Sequence, residues 1–195
     1  MTEQIEIEFK TFLQKKDYLK VFEHYQLSQL KPTIQTNLYF DTPAKELRQK
    51  KYGLRIRDYE THGELTLKCP APKQQGLLEI TDPLDQTTLH ALTKQSRILP
   101  TGEVAHFLKK QGFDLDSIKP FAKLTTKRYE IQLPIGLLAL DESWYGKQHD
   151  YELELEVTCA TQGEKDFHAL LHSLAIPYHA AENKIVRAAK ENQLD

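Results

Sequence analysis

The chain reads as an α+β protein built on a closed or nearly closed antiparallel β-barrel with a polar interior and helices flanking it. Three observations predict this. Stretches such as Ile5-Glu6-Ile7-Glu8-Phe9-Lys10, Leu54-Arg55-Ile56-Arg57 and Tyr151-Glu152-Leu153-Glu154-Leu155-Glu156-Val157 alternate apolar and charged residues. In a strand that alternation sends all the charges to one face and the apolar residues to the other. An antiparallel strand with one wet face alternates too, but like charges at successive same-face positions, as at Glu152, Glu154 and Glu156, cost stability unless something neutralises them. Third, seven or eight strands of this kind cannot all turn their charges outward from a chain of 195 residues without leaving the helices nothing to pack on. Curling the sheet into a barrel resolves the conflict.

The elements follow in order. After the first strand, Tyr18, Leu19, Phe22, Tyr25 and Leu27 recur at helical spacing, predicting a helix over Asp17 to Leu30 that ends at Lys31-Pro32. Thr33 to Phe40 reads as a strand. Thr42-Pro43 followed by Glu46 predicts a short helix with Thr42 as cap and Pro43 at its first position, stopped at Tyr52-Gly53. Leu54 to Tyr59 and Glu64 to Cys69 form a hairpin, and Leu77 to Asp82 is a further strand after the polar loop Pro70 to Gly76, which could close over one end of a site. Helices are expected over Thr87 to Lys94 and Gly102 to Gln111, with Gly112 as a stop. A long strand, Phe121 to Leu133, precedes a pair at Leu137 to Ser143 and Tyr151 to Cys159, whose linking loop holds Trp144 and Gly146. Helices at Gly163 to Leu174 and Ala181 to Gln193 close the chain, with Lys184 and Arg187 on the last. Nothing resembles a linker, so residues 1–195 read as one domain.

Composition narrows the function. Acidic and basic residues number 28 and 26, a net charge of −2, so nucleic-acid binding by bulk basicity is excluded. Cys69 and Cys159 are far apart and in no metal-binding spacing; both read as small buried residues. The first residues lack a basic stretch followed by an apolar one, and no 18-residue apolar run occurs, so the expectation is a soluble cytoplasmic protein with no membrane contact. His168 and His172 lie one helical turn apart without a third ligand and read as surface residues; Trp144 reads as core against helices.

The inward faces would gather the acids Glu6, Glu8, Glu79, Glu130, Asp141, Glu152, Glu154 and Glu156 with the bases Lys10, Arg55, Arg57, Lys68, Arg128 and Lys184. Buried unpaired they would be prohibitively costly, so they pair, stay hydrated or bind ions. Carboxylates suit a hard cation such as Mg²⁺, and guanidinium forks match phosphate oxygens two at a time. A polyphosphate with its metal satisfies both, and the chemistry that follows is phosphoryl transfer or hydrolysis.

These residues, Glu6-x-Glu8-x-Lys10, Arg55-x-Arg57, Lys68, Glu79, Arg128, Asp141, Glu152-x-Glu154-x-Glu156 and the late Lys184, resemble the CYTH superfamily, the triphosphate tunnel metalloenzymes. That family includes thiamine triphosphatases, class IV adenylyl cyclases, fungal RNA triphosphatases and bacterial inorganic triphosphatases. The strings Leu124 to Glu130 and Leu140 to Ser143 are most similar to its compact, single-domain bacterial branch found in Firmicutes. The resemblance implies an eight-stranded antiparallel tunnel. It implies Lys10, Arg55, Arg57, Lys68, Arg128 and Lys184 as phosphate-binding residues and Glu6, Glu8, Asp141, Glu152 and Glu154 as ligands of Mg²⁺ or Mn²⁺. Glu6, Glu8, Lys10 and Arg57 are the catalytic set, and the roles of Glu79, Glu130 and Glu156 stay open. The implied activity is hydrolysis of a small-molecule triphosphate, most simply inorganic tripolyphosphate; a non-catalytic triphosphate- or polyphosphate-binding module and a cyclase are the alternatives. A homodimer stays open. Two departures stand out: Asn183, where many relatives have Ser before the lysine, and Thr126, where many have a base.

Overall fold

In the computed structural model, described for residues 2–71 and 76–191, these residues form eight strands and six α-helices. The strands are β1 (Thr2–Leu13), β2 (Thr33–Asp41), β3 (Gly53–Asp58), β4 (Gly63–Pro70), β5 (Leu77–Leu84), β6 (Lys119–Leu133), β7 (Gly136–Tyr145) and β8 (Gln148–Val157). The helices are α1 (Lys15–His24), α2 (Glu46–Gln49), α3 (Gln86–Gln95), α4 (Gly102–Lys110), α5 (Ala160–Ser173) and α6 (Lys184–Glu191). The strands close into an antiparallel barrel in the order β1-β5-β4-β3-β2-β6-β7-β8. β1 makes the closure: its first residues, Thr2 to Glu6, pair with β5, and Ile7 to Leu13 pair with β8.

The apolar core lies outside the barrel, between its outer surface and the helices. Leu153, Leu155 and Val157 of β8 meet Tyr18 and Val21 of α1 and Phe167 and Leu171 of α5. On the opposite side Leu54, Ile56, Leu65 and Leu67 pack against Leu89, Val104 and Leu108 of α3 and α4. Fully burying each such side chain contributes about 1.5–3 kcal/mol, so the outer face stabilises the fold and the inner face is left for charge.

Several local expectations are corrected. The first helix ends at His24, because Gln26 turns left-handed (φ +51°) and Leu27 to Gln29 form a 3₁₀ turn. The helix expected from Thr42 begins at Glu46. Thr42 Oγ1 accepts only the Glu46 amide, at 3.1 Å, while Asp41 does most of the capping, its two carboxylate oxygens accepting the amides of Leu47 (2.9 Å) and Arg48 (3.1 Å). Trp144 belongs to β7 itself. The connection to β8 is the two-residue turn Gly146-Lys147, with Gly146 at φ +54° where a tight hairpin needs it. Trp144 is 39% exposed on the barrel's outer face, stacked on His149 rather than on a helix. Cys69 is buried as expected, but Cys159 is exposed. The last helix starts at Lys184, three residues later than expected, and its expected end at Gln193 lies outside the described residues, as does most of the polar loop before β5.

α6 seals part of one barrel end. Ile185 and Ala188 pack on Tyr39, Ala122, Leu124 and Tyr145, which point into the bore near that end. The β2–β6 register slips between Tyr39 and Phe40, and the extra residue, Phe121, lies in the wall of the bore.

Candidate active site

The bore holds a cavity of about 850 Å³. Its wall follows from strand periodicity: alternate residues of each strand, Glu6, Glu8 and Lys10 on β1, Asn37 and Tyr39 on β2, Arg55 and Arg57 on β3, Glu64 and Lys68 on β4, Arg128 and Glu130 on β6, Glu154 and Glu156 on β8. From α6 come Lys184 and Ile185. All six expected phosphate-binding bases are therefore gathered in one cavity, with Glu6, Glu8 and Glu154. Asp141 and Glu152 are not in its wall. Both face inward but lie 0% and 1% exposed, covered by Arg128, Lys184 and Arg187.

On the β6–β8 side every base is saturated by acid. Arg128 Nε and Nη2 donate to the two Asp141 oxygens at 2.8 and 2.6 Å, and Nη2 also reaches Glu154. Lys184 Nζ contacts Asp141 at 2.9 Å, Glu152 at 2.7 Å, and Glu154. Behind them Arg187 pairs with Asp150 and Glu152 and lies over the Phe12 ring, 4.6 Å from its centroid. Burial alone would raise the Glu154 carboxyl, but Lys184 and Arg128 outweigh it and hold this group well below the ordinary carboxylate range. Glu152, more deeply enclosed and beside Glu154, is pushed up to about 8.

The β3–β4 side differs. Arg57 is oriented mainly by neutral groups: Nε donates to Asn37 Oδ1 and Nη1 to the Tyr59 hydroxyl, both at 3.0 Å, with Glu64 at 3.3 Å. Arg55 forms no ion pair among the described residues, and its buried Nε has no hydrogen-bond partner. A buried donor without an acceptor is costly; Glu79, Glu64 and Glu6 lie near enough to favour the charged guanidinium, but none of them accepts from Nε, which is left for an incoming anion. Lys68 bridges Glu6 and Glu79, the latter at 3.2 Å.

The acids of β1 and β8 face one another. Glu8 lies directly opposite Glu156, and Lys10 opposite Glu154. Burial and the nearby Glu154 push the Glu8 carboxyl up, but Lys10, at 2.7 Å, and Lys68 hold it below its ordinary value. Glu156 has no ion-pair partner among the described residues, and burial together with Glu6, Glu79 and Glu8 raises its carboxyl. Among those residues no three carboxylates converge as a ready ligand set; Glu6, Glu8 and Glu154 are turned onto Lys68, Lys10 and Lys184. The donors are nevertheless all hard oxygens carrying mutual repulsion, which fits a divalent cation. Thr126, in the place of a base, hydrogen-bonds Ser143 at 2.9 Å and is fully buried, and Asn183 lies in the cavity wall.

The reading of the sequence missed Asn37, Tyr59 and Arg187 as parts of this site, and placed Glu64 on the inner face without giving it a role. β2 carried the available signal, since Gln35-x-Asn37-x-Tyr39-x-Asp41 alternates with Leu38 and Phe40 as the charged strands do.

A family model for the CYTH domain matches residues 4–189. The chain is 37% identical over 193 residues to the candidate triphosphatase YjbK of Bacillus subtilis (strain 168), covering 99% of this chain and 98% of that protein. The crystal structure of a candidate adenylate cyclase from Bacillus halodurans superposes with a TM-score of 0.88 at 33% identity, over 96% of this chain and 98% of the other. The candidate adenylyl cyclase HpAC1 from Hippeastrum, described as having a dominant triphosphatase activity, superposes with a TM-score of 0.75 at 25% identity, over 97% and 98% of the two chains. No helix among the described residues is long and apolar enough to cross a membrane.

Proposed function

The chain belongs to the CYTH family, and from that premise we propose that it is a divalent-metal-dependent triphosphatase whose substrate is inorganic tripolyphosphate, converted with water to diphosphate and orthophosphate. The observation that carries this reading is Arg55, whose buried Nε has no acceptor, in a bore that also holds Arg57, Lys68, Arg128, Lys10 and Lys184. Five further cations in one bore with an arginine that makes no direct ion pair suit a small ligand of high negative charge. The names of YjbK and HpAC1 point the same way.

Glu6, Glu8 and Glu154 are the residues we assign to the metal, with Glu156 completing the set. Asp141 and Glu152, first expected as ligands, are assigned instead to holding Arg128 and Lys184 in place, because neither reaches the cavity. Mg²⁺ or Mn²⁺ bound there supplies charge neutralisation on the phosphate oxygens and a more acidic water. The protein's own part is to fix the phosphates: Arg55 and Arg57 from one wall, Lys68, Arg128 and Lys184 from the others, in a narrow bore where such contacts gain strength from the low local dielectric.

Phosphate release from tripolyphosphate, ATP and thiamine triphosphate, each with Mg²⁺ and Mn²⁺, tests the proposal. Tripolyphosphate is expected to turn over fastest, and Glu8→Gln to lower kcat by about 100-fold or more through lost metal. Tight binding with no phosphate released from any substrate would replace the enzyme by a binding module; cyclic nucleotide formed from ATP would make it a cyclase.

A further inference from the structure

The two ends of the bore differ in how far their charges are already paired. At one, the end of β3 and the start of β4 bring Tyr59 and Glu64, and the last part of β6 brings Glu130. At the other, where the chain passes from α2 into β3, the wall holds Arg48, Lys51 and Gly53. Neither Arg48 nor Lys51 forms an ion pair among the described residues. Asp41, in the same wall, does not neutralise them, because its oxygens accept backbone amides of Thr42, Leu47 and Arg48. Gly53 separates these two cations from Arg55. No positive φ and no backbone clash requires glycine there, since an added Cβ would meet only Ile185 Cδ1, at 3.9 Å. Glycine weakens a strand and often marks a close approach by a ligand; here it keeps the passage beneath α6 clear.

Resting on the triphosphatase reading above, we propose that this basic mouth is a further subsite, in which Arg48 and Lys51 hold the outer phosphates of a linear polyphosphate longer than three units while its inner end occupies the bore. Lys51, Arg55 and Arg57 all line the same cavity, with the side-chain-free Gly53 between the first two in the chain. At the opposite end Arg57 and Arg128 are already paired with Glu64 and Glu130, so that end offers the outer phosphates less uncommitted positive charge. A nucleoside triphosphate places an uncharged sugar and base, not phosphate, at whichever mouth it extends through, so the two ligand types are separable.

The test is calorimetric binding of tripolyphosphate, linear pentapolyphosphate and ATP, in the presence of Mg²⁺, to the wild-type protein and to the double variant Arg48→Gln/Lys51→Gln. For pentapolyphosphate the variant is expected to raise Kd about tenfold, while tripolyphosphate and ATP change by less than about twofold; two exposed charges account for that size of effect. The pentapolyphosphate advantage should also shrink as salt rises. Equal changes for all three ligands, no change for any, or a change confined to ATP would each overturn the subsite. Failure of tripolyphosphate to turn over, with the pentapolyphosphate difference intact, would overturn only the triphosphatase reading. A Gly53→Leu variant that binds tripolyphosphate normally and pentapolyphosphate poorly would support the passage independently of charge.

Discussion

The two walls of the bore solve the problem of buried charge in opposite ways. The β6–β8 wall with α6 is a closed account of ions: Arg128, Lys184 and Arg187 against Asp141, Asp150, Glu152 and Glu154. Across from it, the β3 wall presents Arg55 without a direct ion pair among the described residues and Arg57 set mainly by an amide and a phenol. The first arrangement fixes geometry, since each of its bases is held by at least two carboxylates, although one Asp150 oxygen, Oδ1, accepts no hydrogen bond. The second keeps binding capacity in hand, because an arginine oriented by neutral groups still needs an anion. Rigidity and affinity are thus assigned to different strands.

The largest effect should come from breaking the paired wall. Arg187→Met leaves Glu152 with Lys184 alone and Asp150 with only the Tyr145 hydroxyl, and removing one partner of a buried ion pair destabilises by about 3–5 kcal/mol; urea unfolding measures it. Arg55→Met leaves no acid without a partner and should unfold no earlier than the wild type. Equal losses in the two variants would erase the distinction between the walls. Next in size, Arg55→Met should lower kcat/KM for tripolyphosphate by roughly 100-fold, the cost of removing a preorganised donor. Arg57→Ala should act mainly on KM and less severely, because part of its donor capacity is already used by Asn37 and Tyr59. The smallest effect sharpens the picture through pH. The Glu154 carboxyl is held low in the folded chain, so its stabilising contribution is fully present above the ordinary carboxylate range and is lost as pH falls toward the lowered folded value. The stability gap between wild type and Glu154→Gln should therefore be widest near neutrality and narrow on acidification; a gap that widens toward acid would contradict the pairing with Lys184 and Arg128.

Much of the barrel was legible because period-two alternation is a geometric property of strands. Glu6, Glu8, Lys10, Arg55, Arg57 and Glu154 announce their face without reference to anything distant. Alternation does not report depth. Glu152 and Glu154 look equivalent in sequence, yet Arg187 and Lys184, brought over by α6, cover the first and leave the second in the wall. Asn37 and Tyr59 were overlooked because uncharged polar residues on an alternating face carry a weaker signal, although β2 displays the same period. At α2 the Thr-Pro signature pointed to Thr42, while the carboxylate of the preceding residue reached most of the free amides. Trp144 shows that a large aromatic can be sheltered by a single cross-strand partner, His149, instead of by a helix.

The divided pairing of β1 also shapes how the molecule is made. Its second half is held by β8, so the strand synthesised first gains this partner only after nearly the whole barrel has emerged. Contacts this distant in sequence carry a heavy loop-closure cost and slow folding. Glu8 and Lys10 meet Glu156 and Glu154 only at that seam, so a chain cut short before β8 lacks half of the acidic cluster. Chemical competence then arrives with ring closure, at the end of folding.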